Sequence, residues 1–529
     1  MRNRLSRILH HTIRRQLTTI TATTSHSTTI AAAAAALNMA QTQKPPKEII
    51  IIGGGIIGCS AAYYLTRHPS YSPSTHRITL LEASSTNSGG RTADSITDPA
   101  ALADPDPASK QHSSAAAAPR NPAHDGIAGG ASGKAGGLLA LWAFPKNIVR
   151  LSFRLHEELA REHGGETRWG YRRCHAAQVE CRARLPGANN KNKNGDGNEG
   201  SAMETGEGKE KDEGKAGGTS AGSCKGLHKD HKKDMKALSA LGAPSDLDWL
   251  DTQDALLGYE GMGSPEDTAQ VHPELFTRSI AQLAEDNGVQ IITGARVTSI
   301  NFSAGQGDEK KVESVTYVRD GEGEEQHILP TTDCIVAAGP WTPRLLPQIP
   351  VTSSRAHSIV VRPPRPLSAY ALFTSIALPR GFPQPGTGPL MRHATTVEPE
   401  IYARPDGTAY ACGPTDQDEP LPATSTAEVR VDEARCDDIA AQIAGISEEL
   451  DGTGQGQGEV LARQACYLPQ GGPFIGPVPH MKGVVVAAGH TCWGIQNAPA
   501  TGKLVSEIVL DGEARSARLG ACDPASVVR

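Results

Sequence analysis

A glycine-rich run near the start of the chain, GGGIIG at residues 53–58, has the G-x-G-x-x-G spacing. In this spacing Gly53 permits a tight turn, Gly55 lets a phosphate approach the backbone, and Gly58 lets a helix pack on a strand. Glu82 ends the next apolar run, where its carboxylate can accept both hydrogens of a ribose diol. We therefore predict a dinucleotide site with its pyrophosphate at a helix N-terminus.

Alternating strands and helices position these residues. A strand at 48–52, a helix at 56–67 and a strand at 77–82 form a βαβ unit, which opens a parallel sheet. The same reading predicts a helix at 272–287, paired strands at 288–300, a buried strand at 333–338, a strand at 484–488 and a helix at 498–510. The fold class is therefore α/β, with a Rossmann-like dinucleotide domain.

A second domain is predicted between these elements. Residues 401–413, with Asp406-Gly407 between two strand-like runs, indicate a hairpin and hence a mixed or antiparallel sheet. We assign residues 48–83, 131–137, 265–344 and 481–512 to the dinucleotide domain. Residues 138–186, 237–264 and 345–480 form the predicted substrate domain.

Three segments are too polar or too simple to form core. Residues 84–130 and 187–236 are predicted to be disordered insertions, because they offer little apolar area. Residues 1–47 are rich in Arg, Ser and Thr and have no acid, which is typical of a mitochondrial presequence; translation from Met39 would instead leave a cytoplasmic protein. His228 and His231 lie in a Lys-rich stretch and the cysteines form no CxxC pair, so we expect no metal site.

The composition of the chain indicates which broad class of protein it belongs to. The chain has 529 residues, a net charge of -6 and 38% hydrophobic residues, which suits a globular protein and gives no indication of nucleic-acid binding. There is no long uncharged apolar run, so no transmembrane segment is predicted.

Two later segments indicate which dinucleotide binds. GASGKAGG at 130–137 offers a second backbone stretch, and Gly489-His490 precedes a helix expected to begin near Asn497. That helix would direct its dipole at the N1-C2=O edge of a reduced flavin. Only a cofactor as long as FAD needs both of these segments as well as the first glycine-rich turn. A nicotinamide dehydrogenase would have the same first turn but would not need the two later segments.

On these motifs, together with VHPELFTRSIAQLAEDNGVQ, DCIVAAGPWTPRLL, PFIGPVP and AAGHTCWGIQNAPATGKL, the chain resembles the D-amino-acid oxidase-like (DAO) FAD-dependent oxidoreductases. This family includes glycine oxidase and the sarcosine oxidases and dehydrogenases, and fungal FAD-dependent oxidoreductases within it look most similar. The resemblance implies an FAD domain with a bipartite substrate domain, and hydride transfer from a C–H bond beside an amine nitrogen to flavin N5. The substrate would be an amine or amino acid, and oxygen or another acceptor would take the electrons. Ser88-Gly89-Gly90-Arg91 after Glu82 also resembles a monoamine-oxidase signature.

The motifs and the resemblance together predict the site residues. Those that contact FAD are Gly53, Gly55, Ile56, Ile57, Gly58, Glu82, Ala83, Ser132, Lys134, Gly136, Gly137, Val297, Ala338, Gly339, Trp341, Cys466, Gly489, His490, Gly494 and Ile495. The candidate catalytic residues are His490, Tyr467 and Trp493. His490 either bonds flavin or substrate or orients the backbone, and the aromatic residues either line a pocket or pack.

The chain departs from its better-known relatives at Leu468. Glycine oxidase-like enzymes carry there an Arg that holds the substrate carboxylate, and Leu468 cannot form that pair. Cys466 resembles the Cys through which monomeric sarcosine oxidases attach their flavin, so a thioether is an alternative to non-covalent FAD. The lost Arg also leaves open a flavoprotein with an assembly or trafficking role and little catalysis.

Overall fold

A computed structural model describes residues 45–85, 124–185, 244, 246–247, 249–251, 255–304, 309–386, 388, 390–453 and 457–528. The chain divides into Met1–Pro46 and Lys47–Arg529, and everything below concerns the second unit. Most of the predicted leader and of both predicted insertions, the Arg91 signature and His228 with His231 lie outside the described residues; Lys47, the last leader residue as predicted, is the first residue of a strand.

The described residues form seven α-helices and 21 strands. The helices are α1 Ile56–Thr66, α2 Lys146–His163, α3 Gly165–Arg168, α4 Pro273–Asp286, α5 Thr342–Leu345, α6 Glu433–Ala444 and α7 Gly494–Asp511. The strands are β1 Lys47–Ile52, β2 His76–Leu81, β3 Leu138–Ala140, β4 Arg172–Arg173, β5 His175–Arg182, β6 Leu256–Gly263, β7 Thr268–Gln270, β8 Gln290–Ile292, β9 Ala295–Ala304, β10 Lys310–Arg319, β11 Gln326–Pro330, β12 Asp333–Val336, β13 Thr352–Arg362, β14 Tyr370–Leu378, β15 Thr395–Val397, β16 Glu400–Ala403, β17 Ala409–Asp416, β18 Glu459–Gln470, β19 Phe474–Pro477, β20 Met481–Lys482 and β21 Val484–Ala488.

The first sheet is the predicted dinucleotide sheet. Its order is β19-β21-β12-β1-β2-β8, and all neighbours are parallel except β19, which runs antiparallel to β21. The central strand β1 reads KEIIII and is buried on both faces, as a parallel strand covered on two sides must be. Helices α1, α4 and α7 contribute to the core on one face, and the antiparallel strands β9 and β10 to the core on the other.

The second large sheet is built from residues of the predicted substrate domain. Its order is β18-β13-β17-β16-β14-β5-β6, with β15 added to β14. The predicted hairpin is confirmed as β16 and β17, with Gly407 at φ +82° in the turn. One face packs on α6 through an apolar core that includes Ile359, Leu372 and Ile439.

Three local predictions were wrong. The strands predicted at 288–300 as a pair are β8 and β9, which lie in different sheets: β8 pairs with β2, and β9 with β10. The first insertion was drawn too far, because residues 124–130 are packed; Ile127 is fully buried in the core. Helix α7 begins at Gly494, a turn earlier than predicted.

The early start of α7 depends on two side chains of α2. Pro499 has no N–H to bond the carbonyl of Ile495, which lies four residues earlier in the helix. His156 Nε2 lies 2.9 Å from that carbonyl oxygen, and Ser152 Oγ accepts from Ala500 N at 3.1 Å. Burial lowers the pKa of His156 to about 4, so its ring is neutral and the nitrogen donates. The first turn of α7 therefore stays helical ahead of a proline.

Candidate functional site

A cavity of about 350 Å³ runs along the carboxyl ends of the parallel strands and under the substrate sheet. At one end it is bounded by Glu82 and Ala83 after β2 and by Val297 on β9. At the other end it is bounded by Cys466 on β18 and by His490 after β21. A groove of this kind, at the carboxyl edge of an α/β sheet, is where such folds bind dinucleotides.

Each glycine of the first turn is required for a different structural reason. Gly53 has φ +113°, and a Cβ there would lie 2.4 Å from Ala337 O. A Cβ on Gly58 would lie 2.0 Å from Gly53 O, so Gly58 is required for packing and does not line the cavity. A Cβ on Gly55 would approach only Ser132 Oγ, at 3.2 Å, so this glycine keeps space clear in the cavity.

Glu82 is held at its end of the cavity by backbone N–H groups. Its Oε2 accepts from Gly54 N at 2.6 Å, and its Oε1 accepts from Ser84 N at 2.8 Å. Burial raises the pKa of this carboxyl, and the N–H groups of Ser84 and Gly54 act against that rise. A carboxylate has about four acceptor positions, so both oxygens keep capacity for a ribose diol.

Some residues of the segment GASGKAGG line the cavity, and others pack against neighbouring parts of the protein. Ser132 lines the cavity, and its Oγ accepts from Ile56 N at the start of α1, at 2.9 Å. Lys134 turns away and donates to Ala465 O at 3.0 Å. Gly136 lies under the ring of Tyr402, and Gly137 has φ +90° against Val271 O. Of the predicted FAD contacts, only Gly58, Lys134, Gly136 and Gly137 do not line the cavity; they support the residues that do.

His490 is the most isolated polar side chain of the site. It is 2% exposed, and within the described ranges neither ring nitrogen has a hydrogen-bond partner. Burial lowers the pKa of His490 to about 3, so the ring is neutral at physiological pH. A buried polar group without a partner is costly, which indicates that a ligand in the cavity supplies the partner.

Cys466 lines the same end and is 5% exposed. Burial raises the pKa of its thiol to about 11, although the nearby charge of Lys134 acts in the opposite direction. The thiol is therefore protonated at neutral pH. Leu468, two residues further along β18, also lines the cavity and contributes no cation.

Sequence reasoning missed residues 419–429, a segment we call the strap, which follows β17 and borders the cavity. Five consecutive carbonyl oxygens in it, at residues 419–423, accept hydrogen bonds from side chains outside it. The donors are Tyr467, Trp341 and Arg344. At the other end Thr426 N donates to Ser84 Oγ at 3.2 Å. The composition EPLPATST shows none of these bonds, because their donors are distant in sequence.

The structure gives the side chains of two of the three predicted catalytic residues contacts with other parts of the protein. Tyr467 lines the cavity, and its hydroxyl donates to Glu419 O at 3.0 Å and Pro420 O at 2.9 Å, so that the hydroxyl holds the strap. Trp493 precedes α7 and does not line the cavity; its ring packs edge-on against Trp142 with centroids 5.6 Å apart. Trp341 lines the cavity while its Nε1 donates to Pro422 O at 2.8 Å.

Sequence analysis also missed two cations that line the cavity. These are Arg296 and Arg344. Burial lowers the pKa of Arg344, the nearby charge of Glu428 acts in the opposite direction, and the charge of Arg296 lowers it further. Together with the N-terminus of α1, these side chains bring positive charge to the cavity. That charge suits a pyrophosphate.

Comparison with known proteins agrees with this geometry. The family model described as "FAD dependent oxidoreductase" (DAO) matches residues 48–106 and 123–508. "Putative oxidoreductase TDA3" of Saccharomyces cerevisiae is 32% identical and covers 89% of this chain and 92% of its own length. "Putative oxidoreductase C1F5.03c" of Schizosaccharomyces pombe is 29% identical and covers 89% and 95%.

Solved structures match the fold at low sequence identity. Glycine oxidase from Bacillus cereus superposes with a TM-score of 0.52 at 15% identity, covering 91% of this chain and 98% of its own. L-Amino acid deaminase from Proteus myxofaciens, in complex with anthranilate, superposes with a TM-score of 0.51 at 16% identity, covering 92% and 95%. At this identity the likeness shows the fold alone.

Proposed function

Because the chain belongs to the DAO family of FAD-dependent oxidoreductases, we propose that it oxidises the C–N bond of an amine or amino acid. The observation that supports this most is the cavity itself. It begins at Glu82, follows the first turn of α1 and ends between Cys466 and His490, and so joins a dinucleotide groove to the substrate sheet.

The residues present fit FAD along the whole cavity. Glu82 would hold the adenosine ribose, with Val297 beside the adenine. The N-terminus of α1, Ser132 and the two arginines would hold the pyrophosphate. Gly494 and Ile495, in the first turn of α7, would face the isoalloxazine, where a helix N-terminus stabilises negative charge. When bound, the flavin supplies a hydride acceptor at N5.

The chain itself then binds and orients the substrate. The neutral ring of His490 can donate one hydrogen bond and accept another, so it fits an uncharged amine or the flavin edge. Cys466 and Leu468 make the adjoining wall apolar, which keeps water away from the reacting carbon. Positioning of this kind supplies most of what an enzyme adds to a cofactor's own chemistry.

We propose non-covalent attachment of the FAD. A thioether at Cys466 would form from a thiolate, and the raised pKa of this thiol opposes that form. Acid denaturation tests the point, because free FAD stays in the supernatant while covalent flavin precipitates with the protein.

Substrate and acceptor are proposed only by class. Glycine oxidase and L-amino acid deaminase share the fold, and their names favour a small amine or amino acid here too. Oxygen or another electron acceptor would complete the cycle.

Anaerobic mixing with sarcosine, glycine, D-amino acids and secondary amines tests the function. Loss of the visible flavin absorption on mixing with one of them supports it. A bound flavin that none of these compounds reduces would instead favour an assembly or trafficking role, with FAD as a structural ligand, in keeping with Leu468 in place of the family's Arg.

A further inference from the structure

The two ends of the strap are tied to one buried arginine. Arg355 on β13 donates from Nε to Asp416 Oδ1 at 3.1 Å, and Asp416 ends β17 just before the strap. The same guanidinium lies 3.7 Å from the carboxylate of Glu419, the first strap residue. It also donates to the carbonyl oxygen of Arg430, which follows the last strap residue, at 3.4 Å. The strap is therefore a loop with a closed base on the substrate sheet, like an Ω-loop.

Between these ends the strap passes over the cavity. Its residues 423–426 and 429 line it. Its carbonyl oxygens at 421–423 accept from Trp341 and Arg344, which follow β12 of the first sheet and line the cavity themselves. The strap thus begins and ends on the substrate sheet and is attached in its middle to residues that follow a strand of the first sheet.

Hydrogen bonds hold the strap, and apolar burial contributes little. Val429 is the only buried residue among residues 419–429, all of which the structure describes, and it packs with Ala465 and Tyr467. The only regular structure in these eleven residues is a short 3₁₀ helix at Thr426–Glu428. A segment with few buried apolar contacts opens at a lower free energy than the core does. The bonds from the strap to its neighbours can therefore break while both sheets stay folded.

The strap is fastened beside the carboxylate that fits the ribose. The hydroxyl oxygens of Thr426 and Ser84 are 2.6 Å apart, and Thr426 N donates to Ser84 Oγ at 3.2 Å. Ser84 N in turn donates to Glu82 Oε1 at 2.8 Å. Gly55 and Ile56, in the first turn of α1, line the same cavity as the strap. A dinucleotide bound along the cavity would therefore be enclosed between the strap and the start of α1.

We propose that the strap is the gate through which FAD enters and leaves the protein. The bonds to Ser84, Trp341 and Arg344 break when the gate opens, while Arg355 keeps the two ends of the strap in place. Opening exposes the cavity along the N-terminus of α1, and closing re-forms the bonds over the bound cofactor. The strap therefore sets the rate of cofactor exchange. This inference rests on FAD binding, and the identity of the substrate does not enter it.

A reversible cross-link across the gate tests this inference. In the double variant Ser84→Cys with Thr426→Cys, sulfur atoms replace two oxygens that are 2.6 Å apart, close to the disulfide bond length of about 2.05 Å. Mass spectrometry confirms the disulfide, and the rise of FAD fluorescence after dilution measures release from the holoprotein. We expect the oxidised form to release FAD at least about tenfold more slowly than the same protein reduced with dithiothreitol. Because both forms carry the same substitutions, any effect of Ser84→Cys on Glu82 cancels.

Uptake of FAD gives the reverse experiment. The oxidised apoprotein of this double variant should take up FAD at least about tenfold more slowly than the reduced one, and dithiothreitol should restore uptake. Asn301→Cys with Ser314→Cys is the matched control, because these residues are paired between β9 and β10, bonded at 3.0 Å, and do not line the cavity. Oxidation of the control should leave both rates unchanged within about twofold.

Thr426→Val covers the case that the double variant does not fold. Valine keeps the shape of threonine and removes only the hydroxyl bonded to Ser84, so the strap opens more readily. At saturating FAD the rate of uptake becomes the rate of strap opening, and it should rise by about two- to tenfold, as the loss of one hydrogen bond predicts. Thr66→Val loses a hydroxyl bond to Tyr63 O at the end of α1 and should leave the rate unchanged.

Equal rates of FAD release and uptake in the oxidised and reduced double variant would overturn this inference. So would an uptake rate in the unmodified protein that rises with FAD concentration and reaches no plateau. A protein that takes up no FAD in any form would refute FAD binding together with the gate. Slow exchange in the oxidised form, with a flavin that no amine reduces, would support the gate and refute the proposed oxidation.

Discussion

Replacing Tyr467 by phenylalanine separates a structural role of this residue from a catalytic one. The change removes only the hydroxyl, which bonds the carbonyl oxygens of Glu419 and Pro420 at 3.0 and 2.9 Å. The ring stays in its apolar cluster with Val429 and Ala465. The strap then loses one of the three side chains that donate to its carbonyl oxygens, while Trp341, Arg344 and the bond to Ser84 remain.

The size of the effect follows from those bonds. Leaving a partly buried carbonyl unpaired costs about 1 to 3 kcal/mol, and water reaching the strap reduces this toward the lower end. We expect the free energy of unfolding to fall by about 1 to 2 kcal/mol. Because the strap borders the FAD cavity, loosening it by that amount should raise the Kd for FAD by roughly five- to thirtyfold. The rate of flavin reduction at saturating FAD should change little.

Fluorescence titration of the apoprotein with FAD, urea unfolding and anaerobic flavin reduction measure the three quantities. Trp341→Phe removes the bond to Pro422 O and should show the same pattern. Tyr71→Phe loses only a weak bond to Asn287 O at 3.4 Å, far from the strap, and serves as the control. A fall in the reduction rate of about 100-fold or more with unchanged FAD affinity would show that Tyr467 is a proton-transfer residue and refute this reasoning.

Three further predictions concern the rest of the site. Glu82→Gln places an NH2 group against the N–H of Gly54 or Ser84, so we expect the purified variant to lose most of its FAD, measured as the ratio of flavin to protein absorbance. His490 has its pKa lowered from 6.5 to about 3, so the unfolded chain takes up a proton that the folded one does not, and its contribution to stability falls as pH drops below 6.5. In urea unfolding of the apoprotein, the free energy of unfolding of the unmodified protein should fall by up to about 2 kcal/mol between pH 6.5 and about pH 5 because of His490, and His490→Asn should not show this fall. The same pH dependence of the unfolding free energy in both proteins would contradict the buried neutral ring. His156→Leu leaves the carbonyl of Ile495 unpaired and should lower the free energy of unfolding by about 1 to 3 kcal/mol, with weaker FAD binding as the start of α7 shifts.

The parts of the fold that could be predicted are those in which a short segment of sequence contains the whole structural constraint. Gly53 needs a positive φ, Gly58 meets a backbone oxygen, and Glu82 follows a strand that the hydrophobic pattern marks clearly. The hairpin around Gly407 is of the same kind. In each case the constraint lies within a few residues of the motif.

The remaining features depend on contacts between distant segments. The strap is anchored by Trp341, Arg344 and Tyr467, and no pattern within residues 419–429 indicates those donors. The prediction that β8 and β9 pair with each other was wrong for the same reason. The sequence shows two apolar runs with a break between them, but it does not show which sheet each run joins. The predicted start of helix α7 is too late in the sequence. Pro499 argues for a helix that begins after it, and only the bond of His156 to the carbonyl oxygen of Ile495 removes that objection.

The most direct test of the central claim is the visible spectrum of the purified protein, before and after anaerobic addition of an amine. We predict a bound flavin that acid releases into the supernatant, that is lost in Glu82→Gln, and whose absorption disappears when an amine substrate is added. A colourless protein that does not take up added FAD, or a flavin that remains oxidised with every amine and amino acid tried, would contradict it.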